Sequence, residues 1–256
     1  MVRGLDKLKE YFKDYPDNFI IIGGTACDII IDEAGFTPRA TKDIDIILIV
    51  EALSTDFIKQ FWQFITDGKY ERKEKSEDEH KYYRFIKPED KNFPFQIELF
   101  ARNPDLLDLD EGTYMTPIPV DDDLLSLSAI LLDETYYKYL IDNSTIEDDV
   151  QRANTEALIS LKAKAYLDIA KRIAAGGKED SKHLRKHKGD VFRLGVMLTE
   201  TNSFELPNAI KKDMQEFVDT IKYDLPDKQI FKTMGLRNVK AENVYTQLIK
   251  SFGLKD

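Results

Sequence analysis

The sequence predicts an α+β protein, in which a mixed β-sheet with flanking helices is followed by an all-helical C-terminal domain. The evidence is a change of pattern near residue 155. Before this point, short apolar runs alternate with amphipathic segments, as expected when strands and helices share one core. After it, helical periodicity continues to the end of the chain, over 155–174, 179–199, 206–222, 227–234 and 239–252. We therefore predict two domains, 1–154 and 155–256.

Composition limits the class of protein. At 256 residues and 42% hydrophobic content, the chain can bury a sizeable core, and its single cysteine excludes a disulfide framework. No apolar run approaches the roughly 20 residues that span a bilayer, and the charged N-terminus lacks the apolar segment of a signal peptide. We expect a soluble, cytoplasmic protein with no membrane partner. The net charge of −10 argues against non-specific nucleic-acid binding by the whole surface but allows a local basic groove.

Two amphipathic helices are predicted in the first half of the chain, in addition to a short helix over 25–34. Residues 2–14 carry apolar side chains at helical spacing. In the second helix, Ser54 or Thr55 is the expected N-cap and Gly68 the expected end. We assign the aromatic and apolar face of this helix to the core rather than to a ligand.

The segments that follow are less regular. Residues 70–75 and 81–87 predict a hairpin, because each is a short run with strand character and a charged turn joins them. The acidic triplet 121–123 is interpreted as a solvated turn or helix cap, and the triplet 147–149 as a solvated loop. The apolar run 124–132 is either a strand or a buried helix, since a short run does not distinguish the two.

One stretch, residues 19–50, organises the rest of the chain. Its first four residues are apolar and predict a buried strand that runs directly into Gly23-Gly24. A short helix over 25–34 and a second strand over 43–50 follow. A glycine pair before a helix leaves backbone N–H groups available to meet a phosphate.

The second strand of this stretch begins with two acids. Side chains alternate along a strand, so Asp43 and Asp45 point to the same face, while Ile44 and Ile46 point into the core. Two neighbouring carboxylates repel each other unless a cation lies between them. Mg²⁺ typically binds one or two carboxylates of this kind when it also binds the phosphates of a substrate. A phosphate cradle next to metal-binding carboxylates predicts a nucleotide site.

The motif GGTA followed by RATKDIDI resembles the nucleotidyltransferase superfamily related to DNA polymerase beta, and most closely its AbiEii/AbiGii toxin-type branch. The superfamily requires a third carboxylate on a later strand, and Glu98 in FPFQIELF matches it. From the residues alone, a glutamate facing solvent on an edge strand would explain Glu98 equally well. The resemblance implies a nucleotidyltransferase fold in which Asp43, Asp45 and Glu98 are catalytic and bind two Mg²⁺ ions, with Mn²⁺ as an alternative.

A basic segment in the second half adds to this resemblance. Residues 162–193 contain ten Lys or Arg and four Asp or Glu, which form either an exposed charged surface or a wall facing NTP phosphates, RNA or both. The sequences LKAKAYLDIAKR and SKHLRKHKGDVFRL are similar to the second signature of the branch. That similarity places Lys162, with Lys164 as its rival, and the pair Lys188 and Asp190 in the nucleotide-binding site.

The resemblance also implies roles for the remaining site residues. Gly23, Gly24 and the Thr25 hydroxyl would position the β- and γ-phosphates of an NTP. Arg39 and Lys42 either add positive charge near the site or serve a surface turn. His183 and His187 have a metal-compatible spacing, but no third ligand or cysteine lies nearby in the sequence, so we do not expect zinc.

The implied activity is transfer of NMP from an NTP to an acceptor hydroxyl. In the toxin-type branch the acceptor is RNA, such as tRNA, or protein, and a separate antitoxin protein is the partner of a type IV toxin-antitoxin or abortive-infection system. Two alternatives stay open. One is a nucleotidyltransferase that acts on a small, aminoglycoside-like molecule, and the other is a non-catalytic nucleotide-binding module.

Overall fold

The computed structural model describes residues 2–71, 82–100, 130–131, 133–177 and 180–255. It is a mixed α/β structure in which a six-stranded mixed sheet is accompanied by flanking helices. The described residues divide into two compact units. The described residues of the first unit fall within Met1–Asp28, Ala40–Val120 and Ser144–Ala153. Those of the second unit fall within Ile29–Arg39, Asp121–Asn143 and Asn154–Asp256.

The described strands all belong to the first unit. They are β1 Phe19–Ile22, β2 Asp43–Leu48, β3 Tyr82–Ile86, β4 Gln96–Phe100, β5 Ser144–Glu147 and β6 Val150–Ala153. The described helices are α1 Leu5–Phe12, α2 Gly23–Glu33, α3 Thr55–Asp67, α4 Glu134–Asp142, α5 Thr155–Ala174, α6 Ser181–Gly195, α7 Asn208–Ile221, α8 Gln229–Thr233 and α9 Ala241–Ser251. Short 3-10 turns span Pro16–Asn18 and Val50–Ala52.

The strand order across the sheet is β3-β4-β2-β1-β6-β5. β1 pairs antiparallel with β2 and parallel with β6, and β2 pairs parallel with β4. β3 and β5 stand at the two ends of this order and pair antiparallel with β4 and β6, respectively. The strands that carry the predicted carboxylates, β2 and β4, are therefore neighbours near the middle of the sheet.

Aromatic side chains dominate the core of the first unit. The ring of Phe12 in α1 lies 5.3 to 6.2 Å from the rings of Phe19, Phe57, Phe61 and Phe64. All five rings are buried, and burying one such side chain stabilises a fold by about 2 kcal/mol. The prediction that the aromatic face of α3 is core is confirmed.

The ends of α3 also match their sequence signals. The Ser54 hydroxyl accepts a hydrogen bond from the backbone N–H of Phe57 at 3.1 Å, as an N-cap residue does. At the other end, the Gly68 N–H donates to the carbonyl of Phe64. Both the predicted start and the predicted end of this helix are confirmed.

The hairpin of β5 and β6 was not expected, because its acidic turn suggested a loop. Asp148 and Asp149 both have positive φ, 47° and 65°, the conformation of a two-residue hairpin turn. Asn and Gly are the usual signals for this turn, and here Asp takes their place. The side chains of β5 are largely exposed, so the alternation that reveals a strand is weak. The solvated turn was therefore recognised while its flanking strands were missed.

Some predicted features lie outside the described residues. The first strand of the predicted hairpin is described only to Glu71, which forms a single bridge with Ile86. The acidic triplet 121–123 and most of the apolar run 124–132 also fall outside the described ranges. Within the ranges that are described, no helix is both long and apolar enough to cross a membrane.

Candidate active site

The register of the central strands brings two predicted carboxylates together. Asp45 on β2 is paired directly with Glu98 on β4, and Asp43 lies two positions earlier on the same face of β2. Ile44 and Ile46 are buried, whereas Asp43 and Asp45 are only half-buried. The alternation predicted from the sequence is confirmed.

Glu98 is a buried acid in a crowded electrostatic environment. Burial raises the pKa of its carboxyl well above the ordinary value, and the charges of Asp45 and Asp43 raise it further. The close approach of the Asp45 carboxyl group to Glu98 thus favours the neutral form of Glu98. The burial of Glu98 rules out the alternative of a solvent-facing glutamate.

Two residues that the sequence argument missed hold Glu98 in place. Arg84 on β3, directly opposite in the antiparallel register, contacts Oε1 of Glu98 through Nε at 3.0 Å and a terminal amino group at 2.9 Å. The Gln96 amide donates to the same oxygen at 2.6 Å. The guanidinium opposes the rise in the pKa of Glu98 without cancelling it. Gln96 could have been found from strand alternation, but Arg84 required the register of two strands.

The glycine pair lies against Asp45. α2 begins at Gly23, immediately after β1, and the backbone N–H of Gly24 donates to Oδ2 of Asp45 at 3.3 Å. Gly23 has a φ of +67°, and a Cβ at that position would overlap the same Asp45 oxygen. A Cβ on Gly24 would press on the Thr41 side chain. Both glycines are therefore required by close approach, and the helix N-terminus is directed at a carboxylate of the candidate site.

Neighbouring hydrogen bonds fix the ends of this turn. The buried Thr25 hydroxyl donates to the main-chain carbonyl of Asp43 at 2.6 Å. Its single proton is thus used to attach α2 to the start of β2, rather than to reach a ligand. The buried carboxylate of Asp28 accepts a hydrogen bond from the N–H of Thr41 at 2.6 Å, which fixes the chain just before β2.

The donors at this position suit a hard divalent cation. Mg²⁺ prefers oxygen ligands, and a cation bound between Asp45 and Glu98 would relieve their mutual repulsion and that of Asp43. In the described part of the chain, no group of three or more His, Cys, Asp or Glu side chains is already arranged to hold a metal. Metal binding by these three acids would therefore require their side chains, and the Arg84 contact with Glu98, to readjust.

Replacing Gly23 by alanine tests the close approach. We expect Gly23→Ala to lower the free energy of unfolding by more than the roughly 1 to 2 kcal/mol of left-handed strain, because the new methyl group also displaces Asp45. Urea denaturation measures the change. Gly35→Ala is the matched control, since Gly35 has a φ of +78° with nothing within 4 Å. Equal losses in the two variants would mean that the contact with Asp45 is unimportant.

The second unit contains a separate charged group centred on Asp190. This carboxylate, on α6, is 3% exposed and contacts Lys162 of α5 at 3.4 Å, Arg193 at 3.3 Å and Arg39 at 3.5 Å. Burial alone would raise the pKa of Asp190, but the charges of Lys162, Arg39, Arg193 and His187 together lower it below its ordinary value. The structure therefore brings Lys162 and Asp190 together, as the resemblance implied, and adds two arginines.

The other lysines of the second signature have different partners. Lys188 donates from Nζ to both the carbonyl and the carboxylate of Asp224, each at 2.6 Å. Lys164, the rival of Lys162, contacts Asp213 at 3.2 Å and Asp168 at 3.6 Å. Asp190 of the K-x-D pair therefore contacts Lys162, whereas Lys188 contacts Asp224. Lys164 pairs with Asp213 and Asp168 instead.

Many basic residues of the segment 162–193 are paired with acids. Among the described residues, such ion pairs are made by Lys162, Lys164, Lys171, Lys182, Lys188 and Arg193. The Asp190 carboxylate contacts three cations, two from this segment and Arg39. Much of the positive charge of the segment is therefore balanced by acids rather than presented as a continuous basic wall.

Comparisons with known proteins add no family assignment. The resemblance to nucleotidyltransferases therefore rests on the sequence motifs and on the residues described above. A scan against models of known protein families and a search of curated proteins both found no match for this chain.

Proposed function

We propose that this chain is a Mg²⁺-dependent nucleotidyltransferase with a nucleotidyltransferase-type fold and a helical C-terminal domain. The observation that carries the proposal is the placement of the Gly23-Gly24 turn against Asp45, which is itself paired with Glu98. A helix N-terminus that can meet phosphate thus lies beside acids that suit Mg²⁺. Neither feature alone would specify nucleotidyl transfer.

In this proposal Asp43, Asp45 and Glu98 would hold two Mg²⁺ ions, or Mn²⁺ in their place. The bound metal would supply charge neutralisation and a lower pKa for the acceptor hydroxyl. The protein itself supplies position: the backbone of Gly23 and Gly24 would orient the phosphates of the NTP. The acceptor oxygen would bond to the α-phosphorus, the bond to the β-phosphate oxygen would break, and pyrophosphate would leave.

The proposed acceptor is RNA, such as tRNA, or protein. This choice, and the role as a toxin with an antitoxin partner, derive from the resemblance of GGTA and RATKDIDI to the toxin-type branch. Lys162, Lys188 and Asp190 are assigned to nucleotide binding on the same basis. Lys188 fits this role less well than Lys162, because Asp224 takes both of its short hydrogen bonds.

A labelling experiment tests the proposed activity. The purified protein is incubated with each α-³²P-labelled NTP and Mg²⁺, in separate reactions with total cellular RNA, with protein extract and with a cationic aminoglycoside. We expect label in RNA or in protein, and no label with an Asp43→Asn/Asp45→Asn variant. Label on the aminoglycoside would replace the proposed acceptor with a small molecule. No label in any reaction would contradict nucleotidyl transfer.

The control for this experiment has the same change in charge at another place. Asp14 and Asp17 are exposed residues of the first unit and make no contact that would explain a loss of activity. The Asp14→Asn/Asp17→Asn variant is expected to label its acceptor as the wild type does. Loss of label in this control would assign the effect to net charge rather than to the candidate site.

A further inference from the structure

Asp28 is a buried acid that the proposed chemistry does not use. It lies on α2 and is 4% exposed, and its Oδ2 atom accepts the backbone N–H of Thr41 at 2.6 Å, a short charge-assisted hydrogen bond. A carboxylate removed from water is costly unless it is hydrogen-bonded. Asp28 is not among the three acids that would hold Mg²⁺. Its hydrogen bond instead fixes the path of the chain into β2.

Thr41 contacts α2 at two successive turns. Gly24 and Asp28 are four residues apart on this helix, so they lie on the same face. The N–H of Thr41 bonds to Asp28, and its side chain lies against Gly24, where a Cβ would be 2.7 Å from Thr41 Oγ1 and 2.9 Å from Cγ2. The Oγ1 atom is buried and has no hydrogen-bond partner among the described residues. Thr41 therefore acts on Gly24 through packing.

The residue before Thr41 adopts a strained conformation. Ala40 has a φ of +64°, in the left-handed region that a residue with a Cβ rarely occupies. Such strain persists only where the surrounding contacts determine the backbone. The hydrogen bond from Thr41 to Asp28 holds the peptide N–H that immediately follows Ala40. Asp28 therefore fixes this strained connection and, with it, the place of the Thr41 side chain.

We propose that Asp28 is a positioning residue of the candidate site, on which it acts through Thr41 and Gly24. Asp28 holds Thr41 against the first turn of α2, and this contact keeps the N–H of Gly24 directed at Oδ2 of Asp45. All four residues belong to the first unit. The consequence for NTP binding rests on the proposed function, in which the backbone of Gly24 orients the phosphates. The effect on the position of Gly24 does not.

Amide hydrogen exchange, followed by NMR on the metal-free full chain, tests the positioning role without an activity. We expect Asp28→Ala to speed exchange at Thr41 and, by about tenfold, at Gly24, because both amides lose protection. Asp90→Ala is the matched control: Asp90 is an exposed acid of the same unit that accepts the N–H of Asn92 at 2.8 Å, and its loss should leave Gly24 unchanged. Faster exchange at Thr41 alone would overturn the proposal, because Asp28 would then only close a turn.

A second variant separates packing from the hydrogen bond. Thr41→Ala keeps the N–H that bonds to Asp28 but removes side-chain atoms that touch Gly24. Exchange should therefore be faster at Gly24 and unchanged at position 41, whereas a loss of global stability would speed exchange throughout β1 as well. Unchanged exchange at Gly24 in this variant would overturn the proposal, and this test holds even if Asp28→Ala does not fold.

The kinetics of NMP transfer connect this role to the proposed function. We expect Asp28→Ala to raise the KM for NTP about tenfold with a smaller change in kcat, since a displaced phosphate-binding turn weakens the ground state and the transition state alike. Asp28→Asn retains an oxygen acceptor for the N–H of Thr41 and should recover most of the affinity. An equally high KM in both variants would overturn the hydrogen-bonded role. Absence of transfer by wild type would instead contradict the proposed function, and the exchange rates would still decide the role of Asp28.

Discussion

Asp45→Asn is expected to lower the rate of nucleotidyl transfer by about a thousandfold or more, because it removes a central oxygen ligand and its charge from the candidate metal site. Asparagine keeps the shape of aspartate, and its side-chain oxygen can still accept the N–H of Gly24. The labelling rate with saturating NTP and Mg²⁺ measures the effect. Retention of wild-type activity would contradict the metal assignment.

The same substitution should leave the protein as stable as wild type, or more stable, at neutral pH. The charge of Asp45 is one cause of the raised pKa of Glu98. A raised pKa in the folded state contributes stability below the ordinary value of 4.5, and this contribution is lost as pH rises through the folded-state pKa. Without Asp45, the pKa of Glu98 moves back toward its ordinary value. The decrease in folding stability between mildly acidic and neutral pH should therefore be smaller in Asp45→Asn than in wild type.

Thermal denaturation of the metal-free protein across that pH range provides the measurement. A melting temperature that falls at neutral pH, together with a loss of activity, would show that Asp45 supports the fold rather than the chemistry. The Asp14→Asn/Asp17→Asn variant controls for net charge, since both residues are exposed in the same unit. Its melting temperature should change with pH as that of the wild type does, because Asp45 and Glu98 are both intact.

The pairing of Asp45 with Glu98 illustrates what the sequence could predict. Strand alternation placed Asp43 and Asp45 on one face, and the apolar neighbours of Glu98 placed that residue in an apolar strand without deciding whether it faced solvent. These are local signals with a period of two. The contact itself depends on the parallel register of β2 and β4, whose partners are more than fifty residues apart in the sequence. Only the resemblance to a family suggested it beforehand.

Partners of the site residues were harder to predict. Arg84 contacts Glu98 because β3 pairs antiparallel with β4 in a particular register, and strand propensity does not encode register. Arg39 was left open between a site role and a turn, since a single arginine in a loop has no periodic signal. The hairpin of β5 and β6 was missed for a related reason, because its exposed strand lacks apolar alternation. Contacts between residues far apart in the sequence decide the first two cases, whereas the hairpin is local and its weak apolar alternation hid it.

Asp190→Asn is expected to reduce the free energy of unfolding by about 3 to 5 kcal/mol, because it removes a buried carboxylate that pairs with three positively charged neighbours. Urea denaturation at neutral pH measures the loss. Asp224→Asn is the matched control. Asp224 is 77% exposed, and its carbonyl would still accept a hydrogen bond from Lys188, so a loss of about 1 kcal/mol or less is expected.

The pH dependence of this loss follows from the direction of the pKa shift. The pKa of Asp190 is lowered in the folded state, so its carboxylate contributes stability above the ordinary value of 3.8, and this contribution disappears as pH falls through the folded-state pKa. The gap between wild type and Asp190→Asn should be constant at neutral pH and should narrow in strong acid. A gap that stays the same in acid would mean that the shape of the aspartate, and not its charge, matters.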